Sequence, residues 1–285
     1  MKDKVVLITG ANTGIGKAAA LELARQGATV VITARNEAKA KAAQADIIEK
    51  TGNSRVSILL ADFGDFAQVR QMAEEFKSRH DRLDVLINNA GLILDERRES
   101  VDGNEMTMQV NHLSPYLLTH LLLDVLKASA PARIVNVASD AHRSASSGFA
   151  KSMNELQALG KYTSFNVYGQ SKLANILFSR KLARELEGSG VTVNSLHPGV
   201  VNTGFAADGD VKGFFSFVIN LIRPFLLTPE KGARTTVYLA SSPEVEGVSG
   251  KYFDKCKAKK PKPWAEDDEA AERLWKWSRE LTGEG

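Results

Sequence analysis

The chain has 285 residues, 43% hydrophobic and 25% charged, with 37 basic against 34 acidic side chains and a net charge of +3. That excess is too small, and its basic residues too spread along the chain, to argue for a nucleic acid partner. One cysteine, Cys256, excludes an internal disulfide and any multi-cysteine metal site, and agrees with a reducing, cytoplasmic setting.

In chain order, short β-branched runs alternate with longer amphipathic stretches. Strands are expected at Val5–Thr9, Thr29–Thr33, Val56–Leu60, Val85–Asn88, Arg133–Val137, Val191–Ser195 and Lys251–Phe253. Helices are expected near 15–27, 37–50, 65–79, 103–127, 165–187, 229–241 and 266–282. Such alternation implies βαβ units and an α/β fold: a doubly wound, Rossmann-type parallel sheet of about seven strands with helices on both faces. No repeat, low-complexity block or Pro/Gly-rich linker divides the chain, so residues 1–285 read as a single domain.

Two stretches break the alternation. Ala141–Ser164 is long for a strand-to-helix connection. Residues 204–227 are rich in aromatic and apolar side chains (Phe205, Phe214, Phe215, Phe217, Phe225) and are expected to form an apolar lid, with an interfacial membrane helix as the competing reading. The apolar run Phe214–Leu227 is 14 residues long and broken by Arg223-Pro224, too short to span a bilayer. No transmembrane segment is expected.

The first motif, Thr9-Gly10-Ala11-Asn12-Thr13-Gly14-Ile15-Gly16, follows the first strand and opens a helix. Glycines let backbone approach a phosphate closely, and the helix start offers unpaired N–H groups. Gly10, Asn12, Thr13, Gly14, Ile15 and Gly16 are therefore cofactor-binding candidates. The second strand ends at Thr33-Ala34-Arg35 without the acidic residue that would hold a ribose 2′-hydroxyl. Arg35 stands ready for a 2′-phosphate, and the expected cofactor is NADP(H). Asp62 and Phe63, past the third strand, belong at the adenine end. Ser139, ending the fifth strand, can donate to a substrate carbonyl. Asn111 lies in the preceding helical stretch, where its carboxamide would hold a relay water.

Tyr168-Gly169-Gln170-Ser171-Lys172 sets a phenol and an ammonium four residues apart, on one helix face. A free phenol with a pKa of about 10 is a poor base at neutral pH, and a neighbouring cation favours its ionised form. Lys172 is therefore expected to lower the pKa of Tyr168. After the sixth strand, His197-Pro198-Gly199-Val200-Val201-Asn202-Thr203 turns the chain so that Pro198, Gly199, Val201 and Thr203 can hold a nicotinamide carboxamide. No Gly-x-Ser-x-Gly elbow surrounds any serine, which argues against a hydrolase, and His142 is expected to be a loop residue. No histidine–carboxylate spacing suggests a metal site.

Together these blocks resemble the short-chain dehydrogenase/reductase family, in the order that family uses and over most of the chain. Ser139-Asp140-Ala141-His142, Ser171-Lys172-Leu173-Ala174-Asn175, His197-Pro198-Gly199-Val200-Val201 and Ala271-Glu272-Arg273-Leu274-Trp275 are similar to the retinol dehydrogenase-like branch. The resemblance implies Tyr168 as general acid/base, Lys172 lowering its pKa and binding the nicotinamide ribose, Ser139 positioning the carbonyl and Asn111 supporting a proton relay. It adds Asn89, Ala90 and Gly91, with Asn88, at the cofactor floor. It implies hydride exchange between nicotinamide and a carbonyl or alcohol, and by analogy a homodimer through helices near 103–127 and 165–187; the composition of the lid at 204–227 points to a bulky apolar aldehyde, ketone or alcohol. A non-catalytic NADP(H)-binding sensor or scaffold on the same fold is the alternative. Ala138 departs from the serine of many relatives. Many members of the branch carry an apolar N-terminal anchor; only Met1-Lys2-Asp3-Lys4 precedes the first strand, so cytoplasmic residence is the expectation.

Overall fold

The structure, a computed structural model, describes residues 1–201 and 227–284. Thr203 and the expected lid at 204–227, Leu227 apart, lie outside the described residues. Among those described, eight strands form one sheet in the order β3-β2-β1-β4-β5-β6-β7-β8. They are β1 (Val5–Ile8), β2 (Thr29–Ala34), β3 (Val56–Leu60), β4 (Val85–Asn88), β5 (Ala132–Val137), β6 (Val191–His197), β7 (Tyr252–Asp254) and β8 (Lys257–Lys259). Every pairing is parallel except β7 with β8. The strand order reverses between β2-β1 and β4, the place where open sheets of this kind leave a crevice at their carboxyl ends.

The helices are α1 (Gly14–Arg25), α2 (Glu37–Thr51), α3 (Phe66–Arg79), a composite α4 running in four segments from Met106 to Ala128, α5 (Met153–Leu156), α6 (Ser164–Glu185), α7 (Pro229–Ser241) and α8 (Asp268–Thr282). β1 and β4 are buried at every residue, as strands covered on both faces must be. Two apolar clusters flank the sheet. Phe76, Tyr116, Leu177 and Leu274 lie in one, with α3, α4, α6 and α8. Leu23, Ile47 and Leu239 lie in the other, with α1, α2 and α7.

Three features depart from the sequence expectation. The eighth strand, Lys257-Ala258-Lys259, is exposed at all three residues, so it offers no apolar alternation to read. Its lysines suit an open sheet edge, where charge discourages pairing with another chain. The hairpin joining it to β7 turns through Lys255 (φ 51°) and Cys256 (φ 59°) instead of the Asn-Gly or Asp-Gly that would announce such a turn.

The second departure is α4, expected as one helix. It is built from Met106–Met108, a π-helical stretch Gln109–Leu113, Ser114–Leu121 and Leu123–Ala128. Buried side-chain bonds hold the widened turn: Gln109 Oε1 accepts from Ser100 Oγ at 2.6 Å and Asn104 Nδ2 at 2.9 Å, and its Nε2 donates to Asp102 at 2.6 Å. Insertions of this type concentrate at functional sites.

The third concerns α8, which lies against α4 and α6. Its Trp275 ring packs 5.4 Å from Tyr116 and 6.0 Å from Phe178, and Ser278 Oγ is 2.9 Å from the buried His112 Nε2. That part of the surface expected by analogy to pair two copies is covered by the chain's own C-terminal helix. Among the described residues, no helix is long and apolar enough to cross a membrane.

Candidate active site

The loop after β1 is drawn tightly against the loop after β4. Thr9 Oγ1 accepts from the amides of Asn89 and Ala90, both at 2.9 Å, and Asn89 Nδ2 donates to Thr9 O at 2.8 Å and Gly10 O at 3.2 Å. Gly10 adopts φ +62°, and a Cβ there would lie 2.9 Å from Ala90 Cα. A Cβ at Gly16 would meet Asn89 Nδ2 at 2.5 Å. Side chains at either position would wedge the two loops apart. The first turn of α1 carries no acidic residue, and Thr13 at its N-cap makes no side-chain capping bond. The unpaired amides at Gly14, Ile15 and Gly16 and the positive end of the helix therefore face outward beside half-buried Asn12 and exposed Thr13, a setting that suits a phosphate.

Along the same sheet edge, Arg35 is exposed directly after β2. Asp62, after β3, is half-buried and turns its Oδ1 onto the Gly64 amide at 2.9 Å, while Phe63 is buried. Pro198, Gly199 and Val201, after β6, are half-buried. Val201 bridges Leu227, and a Cβ on Gly232 of α7 would strike Val201 Cγ2 at 2.5 Å and Ile15 Cγ1 at 3.3 Å. Ile15 and Val201 thus meet over the start of α7. Together these loops form a trough along the carboxyl ends of the strands from β3 to β6, with the start of α1 near its middle.

At the β5 end of that trough four expected residues converge. Ser139 closes β5 in an extended conformation (φ −161°, ψ 157°), and its Oγ accepts the Ala141 amide at 3.1 Å, leaving its own proton to donate. The Ser139 hydroxyl acts on the phenol of Tyr168, which is half-buried on α6, and favours its ionised form. Lys172 is 3% exposed; its Nζ lies 5.5 Å from the Tyr168 ring centre and donates to Val137 O at 3.1 Å. Asn111, in the π-helical stretch of α4, accepts from Leu92 N at 2.7 Å and donates to Leu92 O and Ser171 Oγ, both at 2.9 Å. A Cβ on Gly91 would sit 3.2 Å from Asn111 Oδ1 and 3.3 Å from Lys172 Nζ, so this glycine keeps open a small polar gap between them.

The expected lowering of the Tyr168 pKa is corrected by this geometry. Burial pushes the phenol up to about 12, against the opposing pull of the Ser139 hydroxyl. Burial likewise brings Lys172 down to about 8. Both charged forms are penalised by lost hydration.

His142 is corrected as well. It is no loose loop residue but 1% exposed, in a 3₁₀ turn Asp140–Ser144, with Nδ1 on Ser139 O at 2.7 Å. Because that bond goes to the backbone oxygen and not to Oγ, His142 forms no hydrolytic dyad with Ser139. The descriptive set also includes residues the sequence did not single out. Asn175 shares the Val137 carbonyl with Lys172 at 3.3 Å, and Ser171 Oγ donates to Tyr168 O at 2.8 Å. Asn88 Nδ2 reaches Thr119 at 3.1 Å and Asn136 at 2.8 Å, tying β4 to α4 and β5 as expected of the central sheet. Among the described residues no group of three or more His, Cys, Asp or Glu is placed to hold a metal.

Gly169, between Tyr168 and Lys172 in sequence, carried no signal. A Cβ there would lie 2.0 Å from Ser144 Oγ and 2.8 Å from Ala141 O, so only glycine lets the turn after Ser139 rest on the helix bearing the phenol. Gly169→Ala is expected to destabilise the protein by about 1–3 kcal/mol by overpacking, seen as a lower denaturation midpoint. An unchanged midpoint would show that the turn yields freely.

Comparisons with known proteins agree in direction. Residues 10–254 match the family described as "Enoyl-(Acyl carrier protein) reductase". Retinol dehydrogenase 13 of Homo sapiens is 45% identical over 284 residues, covering 98% of this chain and 85% of that protein. Human retinol dehydrogenase 12 is 43% identical, covering 99% and 87%. Among solved structures, an uncharacterized protein from Mycobacterium paratuberculosis superposes with a TM-score of 0.77 at 30% identity, covering 99% of this chain and 94% of that one. The Pseudomonas aeruginosa RhlG/NADP active-site complex gives 0.70 at 27% identity, covering 89% and 94%.

Proposed function

This chain belongs to the short-chain dehydrogenase/reductase family, in its retinol dehydrogenase-like branch, and is an oxidoreductase; on that premise we propose that it interconverts a bulky apolar carbonyl compound and its alcohol with NADP(H). The observation that carries this is the buried Lys172 ammonium, 5.5 Å from the Tyr168 ring centre and one helical turn along α6, with Ser139 at the end of β5 acting on the same phenol. When bound, the nicotinamide supplies the hydride or accepts it. Ser139 donates to the carbonyl oxygen and orients it. Tyr168, holding its proton at neutral pH, gives that proton to the same oxygen as it becomes an alcohol, or takes it back in the oxidative direction. Lys172 supports the ionised phenol and offers its remaining N–H groups to the ribose. Asn111 fixes the widened turn of α4 against Leu92 and Ser171, and one lone pair of its Oδ1 remains for a relay water in the gap beside Gly91.

For the dinucleotide, Gly10, Asn12, Thr13, Gly14, Ile15 and Gly16 would take the pyrophosphate, Asp62 and Phe63 the adenine, Asn89, Ala90 and Gly91 the floor, and Pro198, Gly199 and Val201 the nicotinamide. The choice of NADP(H) rests on Arg35 directly after β2, where Thr33-Ala34-Arg35 offers no acidic residue to hold a ribose 2′-hydroxyl, and is in keeping with the relative solved with NADP. The retinol dehydrogenases among the relatives favour an apolar substrate. A cofactor sensor on the same fold would have no use for an ammonium kept buried at a cost beside a phenol.

A screen of NADPH oxidation against apolar aldehydes and ketones tests the activity, and turnover of none of them would refute it. Arg35→Ala is expected to weaken NADPH about 10- to 100-fold, the worth of one charge-assisted phosphate contact, and NADH by less than about threefold. Equal losses in a fluorescence titration of both would remove the assignment of NADP(H).

A further inference from the structure

We propose that His197 and His142 are positioning residues for Ser139, and that His197 is a proton-sensitive latch: its neutral ring holds the turn after β5, and its protonation releases that turn. The proposal rests on the role given to Ser139 above and adds regulation of that site by pH.

The β5–β6 ladder ends with Ala138 N donating to Leu196 O at 2.9 Å. The next amide in the same phase is that of Asp140, and it finds no strand carbonyl. It donates instead to the His197 side chain, at Nδ1, over 3.2 Å. One turn further on, His142 Nδ1 lies 2.7 Å from Ser139 O. The oxygen and the N–H of the peptide that follows Ser139 are thus each held by an imidazole, the N–H by one from the neighbouring strand and the oxygen by one from the turn itself.

The partners dictate opposite tautomers. A carbonyl oxygen only accepts, so His142 carries its proton on Nδ1; its Nε2 then accepts the Lys262 amide at 3.4 Å. An amide N–H only donates, so His197 must leave Nδ1 bare and carry its proton on Nε2. His142 is sealed by Tyr252, whose ring centre is 5.3 Å away, and by Trp264, whose indole donates to His142 O at 2.9 Å. His197 is only half-buried, at the edge of the trough. Of the two, it is the one a proton reaches.

The charged groups around His197 come from three described places. Asp140, Arg143 and His142 belong to the turn after β5, Asp254 to β7, and Lys262, which faces His142, to the stretch after β8. Asp140 is itself engaged by Arg143 at 2.9 Å and by the Tyr252 hydroxyl at 3.4 Å. Burial sets both imidazoles below their ordinary value, ahead of the opposing pull of Asp140 and Asp254 on His197. Neutral His197 is therefore the resting form at pH 7 and above. When acid adds a proton at Nδ1, two donors face one another across the Asp140 contact. The turn loses that tie, and Ser139 its fixed position.

The test compares wild type, His197→Asn and His197→Leu by the pH dependence of kcat for NADPH oxidation between about pH 5 and 9, alongside imidazole ¹⁵N NMR of the wild type. Asn presents Oδ1 where His presents Nδ1 and does not titrate. It is expected to keep the pH 8 rate within about threefold while flattening the acid limb. Leu, with no acceptor, is expected to lose about tenfold in kcat across the range, the worth of one neutral hydrogen bond, with NADPH affinity unchanged. The ¹⁵N spectrum at pH 8 is expected to show bare Nδ1 and protonated Nε2 on His197. An acid limb that survives unchanged in His197→Asn, or a protonated Nδ1 at pH 8, would overturn the latch. Should no carbonyl be turned over by any of the three proteins, the proposed activity fails, and the tautomer measurement still decides the latch.

Discussion

Tyr168→Phe is expected to lower kcat by about 10³- to 10⁴-fold while leaving NADPH affinity within about twofold, because it deletes one hydroxyl, the proposed proton donor, and almost nothing else. The Lys172 ammonium stands 5.5 Å from the Tyr168 ring centre and Ser139 acts on the same phenol, so the two groups proposed to act on a carbonyl oxygen lie together. Burial holds the hydroxyl at about 12, which keeps Tyr168 protonated and able to act as an acid throughout the neutral range. Phe keeps the ring, its packing and the glycine-lined trough some residues away. Kinetics under saturating cofactor, with a separate binding titration, distinguish the two effects. A variant that keeps more than about a tenth of the wild-type rate would mean that another group delivers the proton.

Much of this site was legible before any coordinates, for reasons that differ by residue. The strands were readable because a parallel sheet covered on both faces needs unbroken apolar runs, and Val5–Ile8 and Val85–Asn88 are buried throughout. Gly10, Gly16, Ser139, Tyr168 and Lys172 were readable because their chemistry requires those residue types at fixed offsets from strand ends. What escaped was whatever depends on contacts distant in sequence. Gly169 is needed only because Ser144 and Ala141 come to rest on it. His142 and His197 gain their meaning from one backbone turn, and the widened turn of α4 from a buried set of amides around Gln109. β8 was hidden because an exposed Lys-Ala-Lys triplet looks like any solvated loop. The direction of the Tyr168 shift was misjudged for a different reason. Spacing along a helix reports the neighbouring charge but not the water removed from both groups.

Lys172→Met should separate function from stability by moving them in opposite directions. The ammonium is 3% exposed and is held near 8 by burial, well below its ordinary 10.5. A difference of that size corresponds to about 3 kcal/mol against the charged form in the folded state. The unfolded chain binds this proton more tightly, so the penalty is complete below about pH 8 and fades as pH rises toward 10.5. Methionine has a similar length and no charge. Its arrival leaves the Val137 carbonyl still paired with Asn175 at 3.3 Å, so no buried acceptor is stranded. The variant is therefore expected to melt about 3 °C or more above wild type at pH 7, with the gain shrinking above pH 8. Its turnover is expected to fall at least about 100-fold, since nothing else among the described residues brings a cation to the phenol. A side chain that weakens the fold while it sustains the reaction is one kept for chemistry. Should Lys172→Met instead lower the melting temperature and leave turnover intact, the lysine would be a structural prop for β5, and the proton-transfer role assigned to the Tyr168–Lys172 pair would have to be abandoned.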